Sequence, residues 1–79
     1  MANITIYSTQ TCGYCKMAKE YLTSKNIPYT EVDITTDRIK QEEMIAKSGQ
    51  YGVPVIDVDG NIIVGFDKNK LNQYANIAN

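Results

Sequence analysis

The hydrophobic period changes at Cys12, and that change limits the fold more than any other feature of the chain. Before it, Ile4, Ile6 and Ser8 alternate with Thr5 and Tyr7, and the β-branched content predicts a strand over about residues 3–8. After it, the spacing is helical. Cys15, Ala18 and Leu22 form one row, and Tyr14, Met17 and Tyr21 form the row beside it. Lys16, Lys19, Glu20 and Thr23 lie opposite. A wide apolar stripe with a charged back predicts a surface helix packed on a sheet.

The remaining chain continues this alternation. Asn26 ends the first helix, and Pro28 opens a strand over about residues 29–34, a position where proline is tolerated. Thr36 or Asp37 caps a second helix that runs to about Lys47, with Gly49 as its C-terminal cap and Ile39, Ile45 and Ala46 as its apolar face. Residues 54–58 and 62–64 read as strands, joined by the hairpin signal Asp59-Gly60. Asp67 caps a last helix with Leu71, Tyr74, Ala75 and Ala78 at apolar positions. The order is β-α-β-α-β-β-α. A strand, a crossover helix and a second strand require parallel pairing, and the hairpin adds an antiparallel pair. The expected architecture is α/β: a four-stranded mixed sheet flanked by three helices, one domain over residues 1–79.

Composition narrows the function. Eight Lys and Arg against nine Asp and Glu leave a net charge of −1, the opposite of the basic excess a nucleic-acid binder needs. No histidine is present, which removes His-based acid–base chemistry and Cys/His zinc sites. No apolar run approaches the ~20 residues of a membrane span, and the first residues lack a signal-peptide pattern. A soluble, cytoplasmic protein is expected.

The two cysteines are only three residues apart, so a bridge between them closes almost no loop and adds little through chain entropy. They are also too few for a four-ligand zinc site. Chemistry explains them better than structure. With Cys12 as N-cap, its sulfur faces the unpaired N–H groups of the first turn, including those of Tyr14 and Cys15. The helix dipole adds partial positive charge there, and Lys16 and Lys19 add attraction from exposed, screened positions. These favour thiolate, the attacking species in disulfide exchange. Cys15 sits one turn later on the same face. A rise of ~1.5 Å per residue puts the two Cα atoms ~4.5 Å apart along the axis, within reach of a disulfide. Cys15 is expected to be more buried and less acidic, a resolving thiol for a mixed disulfide on Cys12.

With these residues in view, the sequence resembles the glutaredoxin family over essentially its whole length. Ile4-Thr5-Ile6-Tyr7-Ser8, Cys12-Gly13-Tyr14-Cys15, Glu42-Glu43-Met44-Ile45, Val53-Pro54 and Gly65-Phe66-Asp67 stand where the family has corresponding features. The resemblance implies a thioredoxin-like fold and reduction of disulfides and glutathione mixed disulfides. It assigns Cys12 as nucleophile and Cys15 as resolver, with Tyr14 flanking the substrate. It implies a cis Val53–Pro54 bond, with Val53 offering backbone groups to the substrate. It places Gln41 against the glycyl carboxylate of glutathione. Phe66 and Asp67 fall at the helix start whose N–H groups hold the γ-glutamyl carboxylate, a role that helix termini suit on physical grounds. It implies no tightly bound cofactor, glutathione as reductant, disulfide-containing clients and a monomer.

Several positions depart from the family pattern. Thr9 stands where a lysine is usual, Gly52 where a threonine precedes Val-Pro, and Lys68 where the residue is often acidic. These changes imply weaker glutathione binding. Gly13 replaces the common proline and loosens the turn, at a cost of ~1 kcal/mol or less. Two alternatives stay open: Gly65-Phe66 at the third helix resembles redoxins reduced by thioredoxin reductase, and the absent proline resembles glutaredoxins that carry an iron–sulfur cluster shared between two protomers.

Overall fold

The computed structural model describes residues 3–76. The element order matches the sequence expectation: β1 (Ile4–Ser8), α1 (Gly13–Ser24), β2 (Thr30–Asp33), α2 (Arg38–Ser48), β3 (Val55–Val58), β4 (Asn61–Val64) and α3 (Lys68–Ala75). The sheet order is β2-β1-β3-β4. β1 runs parallel to β2 and antiparallel to β3, and β3 and β4 form the hairpin. The hairpin turn is built from two left-handed residues, Asp59 at φ 52° and Gly60 at φ 92°, as the Asp-Gly pair predicts.

Alternation along the central strands divides the core in two, because successive side chains point to opposite faces. Ile4, Ile6, Ile56 and Val58 face one way and pack with Ala18 and Leu22 of α1 and Leu71 of α3. Tyr7 and Val55 face the other way and pack with Ile34 and Met44. Thus α1 and α3 cover one face and α2 the other.

The termini of the helices follow the capping signals. Cys12, Asp37 and Asp67 are N-caps, each with a side chain that accepts a backbone N–H three residues on. Gly49 closes α2 in the left-handed conformation at φ 74°, the geometry that glycine adopts without a Cβ penalty. At the end of α1, Asn26 is left-handed and Ile27 N–H returns to Leu22 O at 2.9 Å, so the chain turns where the sequence implied.

Two expectations need correction. On α1 only the Cys15–Ala18–Leu22 row is buried; Tyr14 is 65% and Met17 49% exposed. Of the second row only Tyr21 packs, in part, against the core. On α2 the buried residue is Met44, with Ile45 packed beside it, whereas Ile39 is 77% exposed and Ala46 is exposed. A long unbranched methionine reaches the core alone, which a search for a regular apolar row overlooks. Tyr7 is buried. Its Oη donates to Glu43 Oε2 at 2.5 Å and accepts from Lys47 Nζ at 2.9 Å, while Lys47 also reaches Asp57 Oδ2 at 3.1 Å. This network pins α2 to β1 and β3. Ala78, expected on the apolar face of the last helix, lies outside the described residues.

Candidate active site

The site is assembled where β1 hands over to α1. The loop from Thr9 to Thr11 brings Cys12 to the helix mouth, in extended backbone conformation. Its Sγ accepts the Cys15 N–H at 3.1 Å, so one orphan donor of the first turn is spent on sulfur. Both cysteines are free thiols; Cys12 is partly exposed and Cys15 fully buried. Burial pushes the Cys15 thiol up to about 12, helped by its hydrogen bond with Cys12 and opposed by the Thr9 backbone and Lys19. The two sulfurs are therefore adjacent and chemically unequal.

One side of the helix mouth opens on a hollow of about 500 Å³ lined by Tyr14, Val53, Pro54, Phe66, Asp67 and Lys68, among others. The Val53–Pro54 bond is cis. Two contacts fix this loop. Gly65 N–H donates to Pro54 O at 2.8 Å, tying it to the end of β4. The Gln50 side chain donates to Gly52 O at 2.9 Å and accepts its N–H at 2.5 Å. A Cβ on residue 52 would stand 2.7 Å from Gln50 Oε1, so the glycine and the glutamine form one arrangement. Sequence reading registered Gly52 only as a departure and missed Gln50; a polar side chain two residues before a glycine was the available signal.

The far wall of the hollow is the start of α3. Asp67 Oδ1 caps it through Lys70 N–H at 3.1 Å. Phe66 leans on Tyr21 with ring centroids 5.9 Å apart, and Lys68 Nζ lies 5.0 Å from the Tyr21 ring centroid. The Tyr21 hydroxyl donates to Asn72 Oδ1, joining α1 to α3.

Cys12 itself borders a second hollow, of about 380 Å³, with Thr9, Gly13, Lys16, Lys19, Glu31 and Asp33 among its lining residues. Lys19 was expected to be exposed; its side chain is only 27% exposed and pairs with Glu31 at 2.5 Å. Of the sequence-predicted site residues, Tyr14, Val53, Pro54, Phe66 and Asp67 share one hollow, and Cys12 and Cys15 stand at the helix mouth. Gln41 is half-buried in the first turns of α2, its backbone N–H bonded to Asp37 O at 3.0 Å, and it lines neither hollow.

Among the described residues no cluster of three or more His, Cys, Asp or Glu side chains is arranged to hold a metal, and no helix is long and apolar enough to cross a membrane.

Known proteins carry the same pattern. The family model described as Glutaredoxin matches residues 4–63. An uncharacterized glutaredoxin-like 8.6 kDa protein of a rubredoxin operon in Clostridium pasteurianum is 54% identical over 70 residues, 89% of this chain and 93% of that protein. Glutaredoxin 3 of Escherichia coli K12 is 45% identical over 67 residues, 85% of this chain and 81% of its own. Among solved structures, a mutant of the thioredoxin-like protein BC3987 superposes with a TM-score of 0.90 at 31% identity, covering 99% of this chain and all 100% of the other. The fold is thioredoxin-like, its cysteine pair stands at a strand-to-helix mouth, and the chain belongs to the glutaredoxin family of thiol–disulfide oxidoreductases.

Proposed function

We propose that this protein is a glutathione-linked thiol–disulfide oxidoreductase that reduces protein disulfides and glutathione mixed disulfides in the cytoplasm, acting as a monomer without a tightly bound cofactor. The observation that supports it most is the 3.1 Å bond from Cys15 N–H to Cys12 Sγ, with the second sulfur buried directly behind the first. Cys12 attacks a client disulfide as thiolate; a Cys12–client disulfide forms and the client's other sulfur leaves with the electron pair. Cys15 then attacks Cys12 Sγ, the client's remaining thiol departs, and a Cys12–Cys15 disulfide is left. Two glutathione molecules return the pair to dithiol form. Val53 and Pro54 border the incoming disulfide, Tyr14 and Phe66 flank it, and the backbone at Asp67 receives a carboxylate. Gln41 is assigned to the glycyl carboxylate on family likeness alone.

Cys12→Ser is expected to abolish turnover in both reactions. Cys15→Ser is expected to retain mixed-disulfide reduction and lose protein-disulfide reduction. Equal losses from the two changes would contradict the assignment. A second reading, reduction by thioredoxin reductase, draws on Lys68, which brings positive charge to the wall of the hollow, and on Thr9, which brings none to its family position. The same disulfide substrate assayed with glutathione reductase plus glutathione, and separately with thioredoxin reductase, distinguishes the donors. Activity only in the second system would replace glutathione in this proposal.

A further inference from the structure

The resolving step asks a buried thiol to become a nucleophile. Cys15 is fully buried, and burial holds it in the protonated form well above neutral pH. Something near it must favour its thiolate when the mixed disulfide needs resolving.

A chain of three polar side chains leads to it from the sheet. The β1–β2 register pairs Ile6 with Glu31 and Ser8 with Asp33, so both carboxylates rise on the α1 face of the edge strand. Ser8 is buried, and its hydroxyl donates to Glu31 Oε2 at 2.8 Å. The same oxygen accepts from Lys19 Nζ at 2.5 Å. Lys19 stands four residues after Cys15, the spacing that makes helix side chains neighbours. It also lines the hollow beside Cys12.

The charges around Cys15 can be named. Cys12 and Lys19 act on it directly, and Lys16, Glu31 and Asp33 share with Lys19 the hollow beside Cys12. Asp33 is turned to its own loop, accepting Thr35 N–H at 2.8 Å and Gln10 Nε2 at 3.4 Å. Glu31 is bound to Lys19 and Ser8, which keep its carboxyl below the usual range. Lys19 in turn is held more firmly protonated, chiefly by Glu31. The ammonium is thus a permanent cation, fixed on its outer side and one turn from the thiol.

We propose that Lys19, anchored by Glu31 and Ser8, supplies the positive charge that stabilises the Cys15 thiolate as it resolves the mixed disulfide on Cys12. The step balances without a further reactant. Cys15 loses one proton, balanced by the one the departing thiolate gains, and its electron pair forms the Cys12–Cys15 bond. The Cys12–client bond breaks, and the departing thiolate takes up a proton. Glu31 and Ser8 are positioning residues; they act only through Lys19. The inference rests on the dithiol mechanism proposed above.

Single-turnover kinetics with a chromogenic aryl disulfide tests both readings separately. Reduced protein releases one coloured thiolate when Cys12 attacks and a second when Cys15 resolves. Lys19→Gln should slow the second release several-fold at neutral pH, because a higher thiol pKa leaves less thiolate and only part of that loss is offset by greater nucleophilicity. The first release, made by a Cys12 whose hollow Lys19 also lines, should slow by a smaller factor. The gap between variant and wild type should begin to narrow only as pH rises toward about 12, where the wild-type thiol, with Lys19 beside it, becomes half ionised. Lys19→Arg, which keeps the charge, should keep the wild-type second release. An unchanged second release in Lys19→Gln overturns the proposal. So does an equal slowing of both releases, a slowing that does not vary with pH, or a Lys19→Arg variant as slow as Lys19→Gln. Failure of the wild-type protein to show a first release would instead overturn the dithiol mechanism itself.

Discussion

The two rows of α1 that read as apolar in the sequence have different fates. Cys15, Ala18 and Leu22 are fully buried and build the core against β1 and β3. Tyr14 and Met17 lie largely in solvent, and Tyr21 is half-buried among Phe66, Lys68 and Asn72. The inner row makes the helix part of the fold. The outer row borders the hollow that holds Val53 and Pro54. The comparison extends to the sulfurs: Cys15 belongs to the inner row, and Cys12 sits at the mouth where solvent begins. One helix therefore supplies both a rigid support for the resolving thiol and an open rim for the substrate.

The largest contrast expected is in alkylation. At neutral pH iodoacetamide should modify Cys12 at least about a hundredfold faster than Cys15, because reactivity follows thiolate fraction and access. Peptide mapping over time reads this directly, and similar rates would erase the distinction between the rows. Next in size is stability. Leu22→Ala should cost about 2–5 kcal/mol in denaturant unfolding, the range for emptying a buried leucine site. Met17→Ala should stay within about 0.5 kcal/mol, as surface changes do.

A third test uses pH. The folded state resists ionising Cys15, raising its thiol from 9.0 to about 12. A raised folded value means stability that is fully present below about pH 9 and lost as pH climbs toward 12. Under reducing conditions the Tm of the wild type should therefore fall relative to Cys15→Ser across that window, by about 4–8 °C per kcal/mol lost. No relative change would mean that the inner sulfur is not sealed from water. The smallest effect is expected at the rim: Tyr14→Ala should raise KM for a disulfide substrate several-fold while leaving Tm nearly unchanged. A fall in Tm with constant KM would move Tyr14 from the substrate rim to the core.

Much of this was legible in the residues because it depends on local rules. The switch from period two to helical spacing, the caps at Cys12, Asp37 and Asp67, the glycine at position 49 and the Asp59-Gly60 turn all act over a few residues, so the element order could be read without a structure. The placement of Cys12 at a helix mouth follows from the same rules. Family likeness, not spacing, supplied the cis Val53–Pro54 bond, which the structure contains. The rest requires knowing which elements meet. Lys19 and Glu31 are twelve residues apart, Tyr7 and Glu43 thirty-six, Tyr21 and Asn72 fifty-one. No local pattern links such pairs.

Chain chemistry alone settled where the strands and helices fall and which sulfur faces the orphan donors of a helix start, since both are consequences of short-range hydrogen bonding and side-chain spacing. Folding in three dimensions decided which of two rows that read as apolar is buried, which lysine is tethered beside the inner thiol, and which side chain clamps the loop before Pro54. Those outcomes depend on how α1 packs on the sheet, on strand register and on the path of the loops, which bring together groups that the order of residues keeps apart.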